Sequence, residues 1–102
     1  MRMYLDDIRI PEFEYDVVVR TSAEAINFIE INGCPEFISF DHDLGGDDTA
    51  MIVVKYLVQK DLDNHLFIPI NFRFNVHSAN PIGKANIEGY LNCYLRQRNC
   101  IN

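Results

Sequence analysis

Short apolar runs alternate along this chain with longer stretches whose apolar residues recur every three or four positions, a pattern that predicts an α/β layer structure. The first run, Met3-Tyr4-Leu5, stops at Asp6-Asp7, and the second, Asp16-Val17-Val18-Val19-Arg20, is a β-branched segment that reads as a strand. About ten residues separate them, fewer than the dozen or more that a parallel crossover through a helix needs. A helix between them is therefore missing or reduced to a turn, and Pro11 stiffens the connection. Thr21 or Ser22 caps a helix carrying Ala25, Ile26, Phe28 and Ile29, with Glu24 near the positive end of its dipole and Asn32-Gly33 at its close.

After Pro35 comes Phe37-Ile38-Ser39-Phe40, a run of the kind buried on both faces of a parallel sheet, and it leads straight into Asp41-His42-Asp43-Leu44-Gly45-Gly46. Asp47 or Asp48 is placed to cap the next helix, whose stripe is Met51, Val54, Leu57 and Val58, although Ile52-Val53-Val54 also has strand propensity. Leu66 to Phe72, with Pro69, reads as a connection, before a strand from Phe72 to Val76 that ends in His77-Ser78-Ala79-Asn80. Pro81 suits a first helical turn. Ile87, Tyr90, Leu91, Tyr94 and Leu95 then mark an amphipathic helix with Arg96 and Arg98 near its negative end.

Composition narrows the picture. The 102 residues, 48% of them apolar, fit one domain with its own core. A net charge of -6 leaves no basic field for a nucleic-acid backbone, so duplex DNA is not an expected partner. No apolar run approaches the roughly 18 residues that span a bilayer, and Asp6-Asp7 sits where a signal peptide would be apolar. These features predict a cytoplasmic protein without a membrane partner. Cys34, Cys93 and Cys100 have no CxxC spacing and read as reduced, partly buried thiols.

Three strand ends are chemically loaded: Asp6 and Asp7; Asp41, His42 and Asp43; and His77, Ser78 and Asn80. In open α/β sheets ligands gather outside the carboxyl ends of the strands, where loops and helix N-termini present unpaired N–H groups. Any one of these sets also reads as turn formers or caps; three together point to a site. Neighbouring carboxylates repel, and a hard divalent cation keeps them ionised, so Asp6, Asp7 and Asp41 suggest a Mg²⁺ or Mn²⁺ site. Two other readings stay open, a capping and salt-bridge cluster with Arg9, and a transition metal held through His42 or His77. Asp41 and Asp43 project to one side of an extended segment and His42 to the other, so all three converge only if the chain turns after Asp41, as Gly45-Gly46 permits. Asn80-Pro81-Ile82-Gly83 at the last helix start offers N–H groups either to a phosphate or to plain capping. Ser78 would add a hydroxyl donor and Arg9 or Lys84 a positive charge, while His65 reads as a surface loop residue.

The blocks Leu5-Asp6-Asp7-Ile8-Arg9-Ile10-Pro11, Ser39-Phe40-Asp41-His42-Asp43-Leu44-Gly45 and Val76-His77-Ser78-Ala79-Asn80-Pro81-Ile82-Gly83, followed by Asn86-Ile87, resemble the cyclic-phosphate processing receiver-domain family. The resemblance covers nearly the whole chain. It implies a compact, truncated, receiver-like (flavodoxin-like) three-layer α/β sandwich of about four mainly parallel strands and three helices. By resemblance to receivers, Asp6 and Asp7 match the acidic pair that holds Mg²⁺, Asp41 the phosphoacceptor and Ser78 the hydroxyl that senses the phosphoryl group. The final receiver strand and its lysine have no counterpart here, whereas His42 and His77 are additions. The implied ligand is a nucleotide or RNA end bearing a 2',3'-cyclic phosphate.

Two functions compete. In the first, a metal-dependent phosphoesterase or phosphotransferase-like enzyme, Asp6, Asp7 and Asp41 hold the metal and His42 or His77 is the general acid or base. Ser78 and Asn80 cradle the phosphate, with Arg9, Asp43 and Gly83 on the substrate side, and Asp41 is alternatively a covalent nucleophile. In the second, the same scaffold is a non-catalytic module that binds a phosphorylated ligand or a protein partner.

Overall fold

The computed structural model describes residues 1–100. Strands β1 (Arg2–Leu5), β2 (Val17–Val19), β3 (Phe37–Phe40) and β4 (Arg73–Val76) form one sheet in the order β2-β1-β3-β4, with every neighbouring pair parallel. Helix α1 (Ser22–Asn32) links β2 to β3, α2 (Met51–Asp63) links β3 to β4, and α3 (Pro81–Cys100) follows β4. The compact receiver-like α/β architecture is therefore present, but the described residues form two layers, not the expected three, because the short β1 to β2 connection carries no helix. The steps from β2 to β3 and from β3 to β4 run the same way across the sheet, so right-handed crossovers place α1 and α2 on the same face. Helix α3 packs beside α2. The step from β1 to β2 runs the other way and would need a helix on the opposite face; residues 6–16 contain none, as their number predicts.

The core lies between the sheet and the helices. Met3, Leu5, Ile38, Phe40 and Val76 pack against Ala25 and Ile29 of α1, Val54 and Leu57 of α2, and Ile87 and Leu91 of α3. Each such aliphatic side chain contributes about 1.5–3 kcal/mol by leaving water. This burial explains why the β-branched run at the start of α2 is helical: Val53 and Val54 are fully buried, and that gain exceeds a propensity difference of a few tenths of a kcal/mol. The opposite face carries Tyr4, Phe37 and Ser39 and is covered by the irregular segment before β2. The Tyr15 ring lies 5.1 Å from Tyr4 and 6.3 Å from Phe37, and the Arg2 guanidinium sits 4.3 Å over Phe37.

Several local expectations need correction. Neither Asp47 nor Asp48 caps α2, whose N-cap position is Ala50 with no side-chain cap. Asp48 instead accepts the Ser22 N–H at 2.9 Å and the Ser22 hydroxyl at 2.5 Å, tying the loop after β3 to the start of α1, which Thr21 caps. Arg98 does lie in the last turn of α3 as expected, and from there its side chain turns inward to Asp61 of α2. Of the cysteines only Cys34 is partly buried, and burial pushes its thiol up to about 12; Cys93 and Cys100 are exposed. No described helix is long and apolar enough to cross a membrane.

Candidate functional site

Sheet register assembles the site. Leu5 pairs with Phe40, and Phe40 with Val76, so the residues that follow lie level along the carboxyl edge. The ladder continues one step there: the Asp41 N–H donates to the Leu5 carbonyl at 2.8 Å, and the His77 N–H to the Phe40 carbonyl at 2.9 Å. The three loaded strand ends are thus brought together. One carboxylate oxygen from each of Asp6, Asp7 and Asp41 lies within 4.8 Å of the others. An open cleft of about 510 Å³ spreads from this cluster, bounded by Asp7, Ile8, Arg9, Asp41, Asp43, Gly45, Gly46, Ser78, Ala79 and Asn80.

Asp6 is 1% exposed and almost fully engaged. Its Oδ1 accepts the N–H groups of Ile8 and Arg9, both at 2.9 Å, which bends the chain away after β1. Its Oδ2 accepts His77 Nε2–H at 2.9 Å. Because an ionised carboxylate only accepts, the ring proton lies on Nε2, and Nδ1 takes the Ser39 hydroxyl at 2.7 Å. Asn75 Nδ2 donates to the same Ser39 oxygen at 3.3 Å, and the imidazole stacks on Tyr4 with centroids 4.6 Å apart. Burial works against ionisation of Asp6, but the Arg9 and Ile8 N–H groups and His77 outweigh it and hold the carboxyl below its ordinary value. Asp41 is the opposite case: burial and the nearby charge of Asp6 push its carboxyl up, despite the bond from the His42 N–H.

The loop after Asp41 makes the expected turn. Gly45 and Gly46 adopt φ of 93° and 55°, a region open to glycine, and Asp43 bridges Thr49. A Cβ on Gly45 would lie 3.6 Å from Asp7 Oδ2, so the turn passes close to the carboxylates. His42 Nδ1–H donates to Asp43 at 3.1 Å, but the ring is seated on Gly83 of α3 and does not line the cleft. Gly83 is therefore the floor under His42. In Gly83→Ala the new Cβ would fall 2.4 Å from His42 Cγ. Overpacking of this kind costs about 1–3 kcal/mol, more than the gain of up to about 1 kcal/mol from replacing a helical glycine. The urea midpoint of Gly83→Ala is expected to fall; an unchanged or higher midpoint would show that His42 yields freely.

Asn80 caps α3 through its own oxygen, which accepts the Ile82 and Gly83 N–H groups at 3.1 and 3.0 Å. Its amide donates to Asp43 at 3.2 Å, and with His42 it holds the Asp43 carboxyl below its ordinary value. Those helix N–H groups are thus already satisfied, which favours capping over phosphate binding at that point. Ser78 lines the cleft; its oxygen accepts the Asn80 N–H at 3.0 Å, and its O–H faces the Asp41 carboxylate and works against the rise of that carboxyl. Arg9 reaches the cleft edge, donating to the His77 carbonyl at 2.8 Å and standing 3.9 Å from Asp6. Lys84 is exposed outside the cleft.

Sequence reasoning missed Arg20, which donates to the carbonyls of Asp6 at 2.9 Å and Arg9 at 2.6 Å and so clamps the acidic loop. It also missed Ser39, Asn75 and Tyr4 behind His77. A polar Ser39 inside an otherwise apolar strand was the one available signal. Comparisons with curated proteins and with solved structures give no match. The family model described as cyclic-phosphate processing receiver domain does match, over residues 1–93, through all three loaded strand ends. The chain belongs to the cyclic-phosphate processing receiver domain family.

Proposed function

We propose that the cleft binds a divalent cation, Mg²⁺ or Mn²⁺, together with the phosphate of a nucleotide or RNA end that carries a 2',3'-cyclic phosphate. The observation that carries this reading is the convergence of Asp6, Asp7 and Asp41 within 4.8 Å at the head of an open cleft. An all-oxygen set of carboxylates fits a hard cation, and Asp7 and Asp41 are the members with oxygens left for it, Asp6 being largely engaged. When bound, the cation polarises a phosphoryl oxygen. The Ser78 hydroxyl donates to a phosphate oxygen, and the Arg9 guanidinium offsets its charge at the rim.

Neither imidazole lines the cleft: His42 rests on Gly83, and His77 stands behind Asp6. Binding is therefore better supported than acid–base cleavage by these histidines, and His77 acts by holding Asp6. Asp41 is the cleft group placed to serve as a nucleophile if the ring is opened. The test is a phosphorus NMR titration of adenosine 2',3'-cyclic phosphate with Mg²⁺, using the protein and Asp41→Asn. The cyclic-phosphate resonance should shift or broaden only with the native protein. A monoester signal dependent on Asp41 would make the domain an enzyme, and an unperturbed resonance would contradict the proposal.

A further inference from the structure

On the helix-free face of the sheet, a second cavity of about 340 Å³ lies next to the acidic cleft, and Arg9 lines both. Its volume falls in the range of roughly 300–1,000 Å³ typical of small-molecule sites. Its walls differ in chemistry from those of the cleft. Phe13 and Tyr15 supply aromatic rings from the segment before β2, Phe13 being 74% exposed at the rim. Asn75 of β4 contributes an exposed side-chain amide. That amide spends one N–H on Ser39, and its oxygen and second N–H have no partner among the described residues. Aromatic rings beside a free amide suit a planar heteroaromatic ring with donors and acceptors on its edge.

We infer that this second cavity is the nucleobase subsite for the ligand whose phosphate occupies the acidic cleft. The inference rests on the phosphate reading of the cleft and deepens it. A cyclic phosphate end is carried on a ribose that also bears a base, so a phosphate beside Asp41 and Ser78 needs an exit for the rest of the nucleotide. Arg9 marks that exit. Arg9, whose guanidinium is held on the His77 carbonyl at 2.8 Å, lines both cavities. The base stacks on Phe13 and takes hydrogen bonds from Asn75, in the place where the short β1 to β2 connection leaves the sheet without a helix. Stacking tolerates every base, and the single amide gives a preference among them.

Calorimetry with Mg²⁺ present would compare adenosine 2',3'-cyclic phosphate with methyl riboside 2',3'-cyclic phosphate, which keeps the sugar and the cyclic phosphate but has no base. The nucleotide should bind roughly ten-fold tighter, in line with the usual worth of base stacking. Phe13→Ala should remove most of that advantage while leaving the affinity for the methyl riboside unchanged. Phe13 is exposed at the rim, so its substitution does not threaten the fold. Equal affinity for the two ligands, or an advantage that survives Phe13→Ala, would overturn the subsite and leave the cleft reading intact. Absence of binding by either ligand would overturn the cleft reading and the subsite with it.

Discussion

Arg98→Ala should destabilise this domain by about 3–5 kcal/mol, the usual result of leaving one member of a buried ion pair without its partner. Asp61 is 2% exposed, and Arg98 Nη1 donates to both of its oxygens at 3.1 Å and to the Ile68 carbonyl at 2.8 Å. Tyr94 O–H and the Ile68 N–H complete the set at 2.5 and 2.9 Å. One cluster therefore fastens the last turns of α3 to the end of α2 and to the connection before β4. Domains of this size have about 5–15 kcal/mol of stability in all, so the loss would be visible directly in a urea transition. Burial alone would raise the Asp61 carboxyl, but Tyr94, the Ile68 N–H and Arg98 hold it below the ordinary value of 3.8. Its contribution is thus complete above that value and is lost as pH falls through the lowered one. The gap between native protein and Arg98→Ala should be widest near neutrality and close in acid below about pH 4. A loss under about 1 kcal/mol at neutral pH would show that the pair is solvated.

Local pattern made several of these features legible. The apolar spacing of Ile87, Leu91 and Leu95 marked α3, Asn32-Gly33 marked the end of α1, and the short interval after Asp7 announced the missing helix. The acid-loaded strand ends were visible because short polar residues followed apolar runs. Partnerships across the sheet were not visible. Alternation turns His77 away from the face that Val76 gives to the core, but only register reveals that Ser39 and Asp6 flank its ring. The same holds for Asp48, which sits where a cap for α2 belongs yet meets Ser22 because the β3 loop folds back over α1. Arg98 keeps the last-turn position that its spacing predicts, but its partner, Asp61 of α2, is set by how the two helices pack.

Asp41→Asn should have a second large effect, with opposite signs in two conditions. Burial and the Asp6 charge raise the Asp41 carboxyl, so ionising it weakens the fold as pH rises from 3.8 through the raised value, and the weakening persists above it. Asparagine keeps an oxygen for the His42 N–H at 2.9 Å and removes the charge. Without divalent ions the variant should melt above the native protein at neutral pH, with the difference vanishing in acid. With a cation at a hundred times its Kd, the native protein gains about 2.7 kcal/mol. For a chain of this length that raises the melting temperature by upwards of about 10 °C. The variant should gain little, because one of three carboxylates is gone.

Electron paramagnetic resonance of Mn²⁺ tests the carboxylate cluster most directly, since the six-line signal of the free ion disappears on binding. One Mn²⁺ is expected per chain, displaced by excess Mg²⁺, with affinity sharply reduced in Asp41→Asn. A free-ion signal undiminished by the native protein, or equal binding by the native protein and Asp41→Asn, would contradict a cation site formed by Asp6, Asp7 and Asp41.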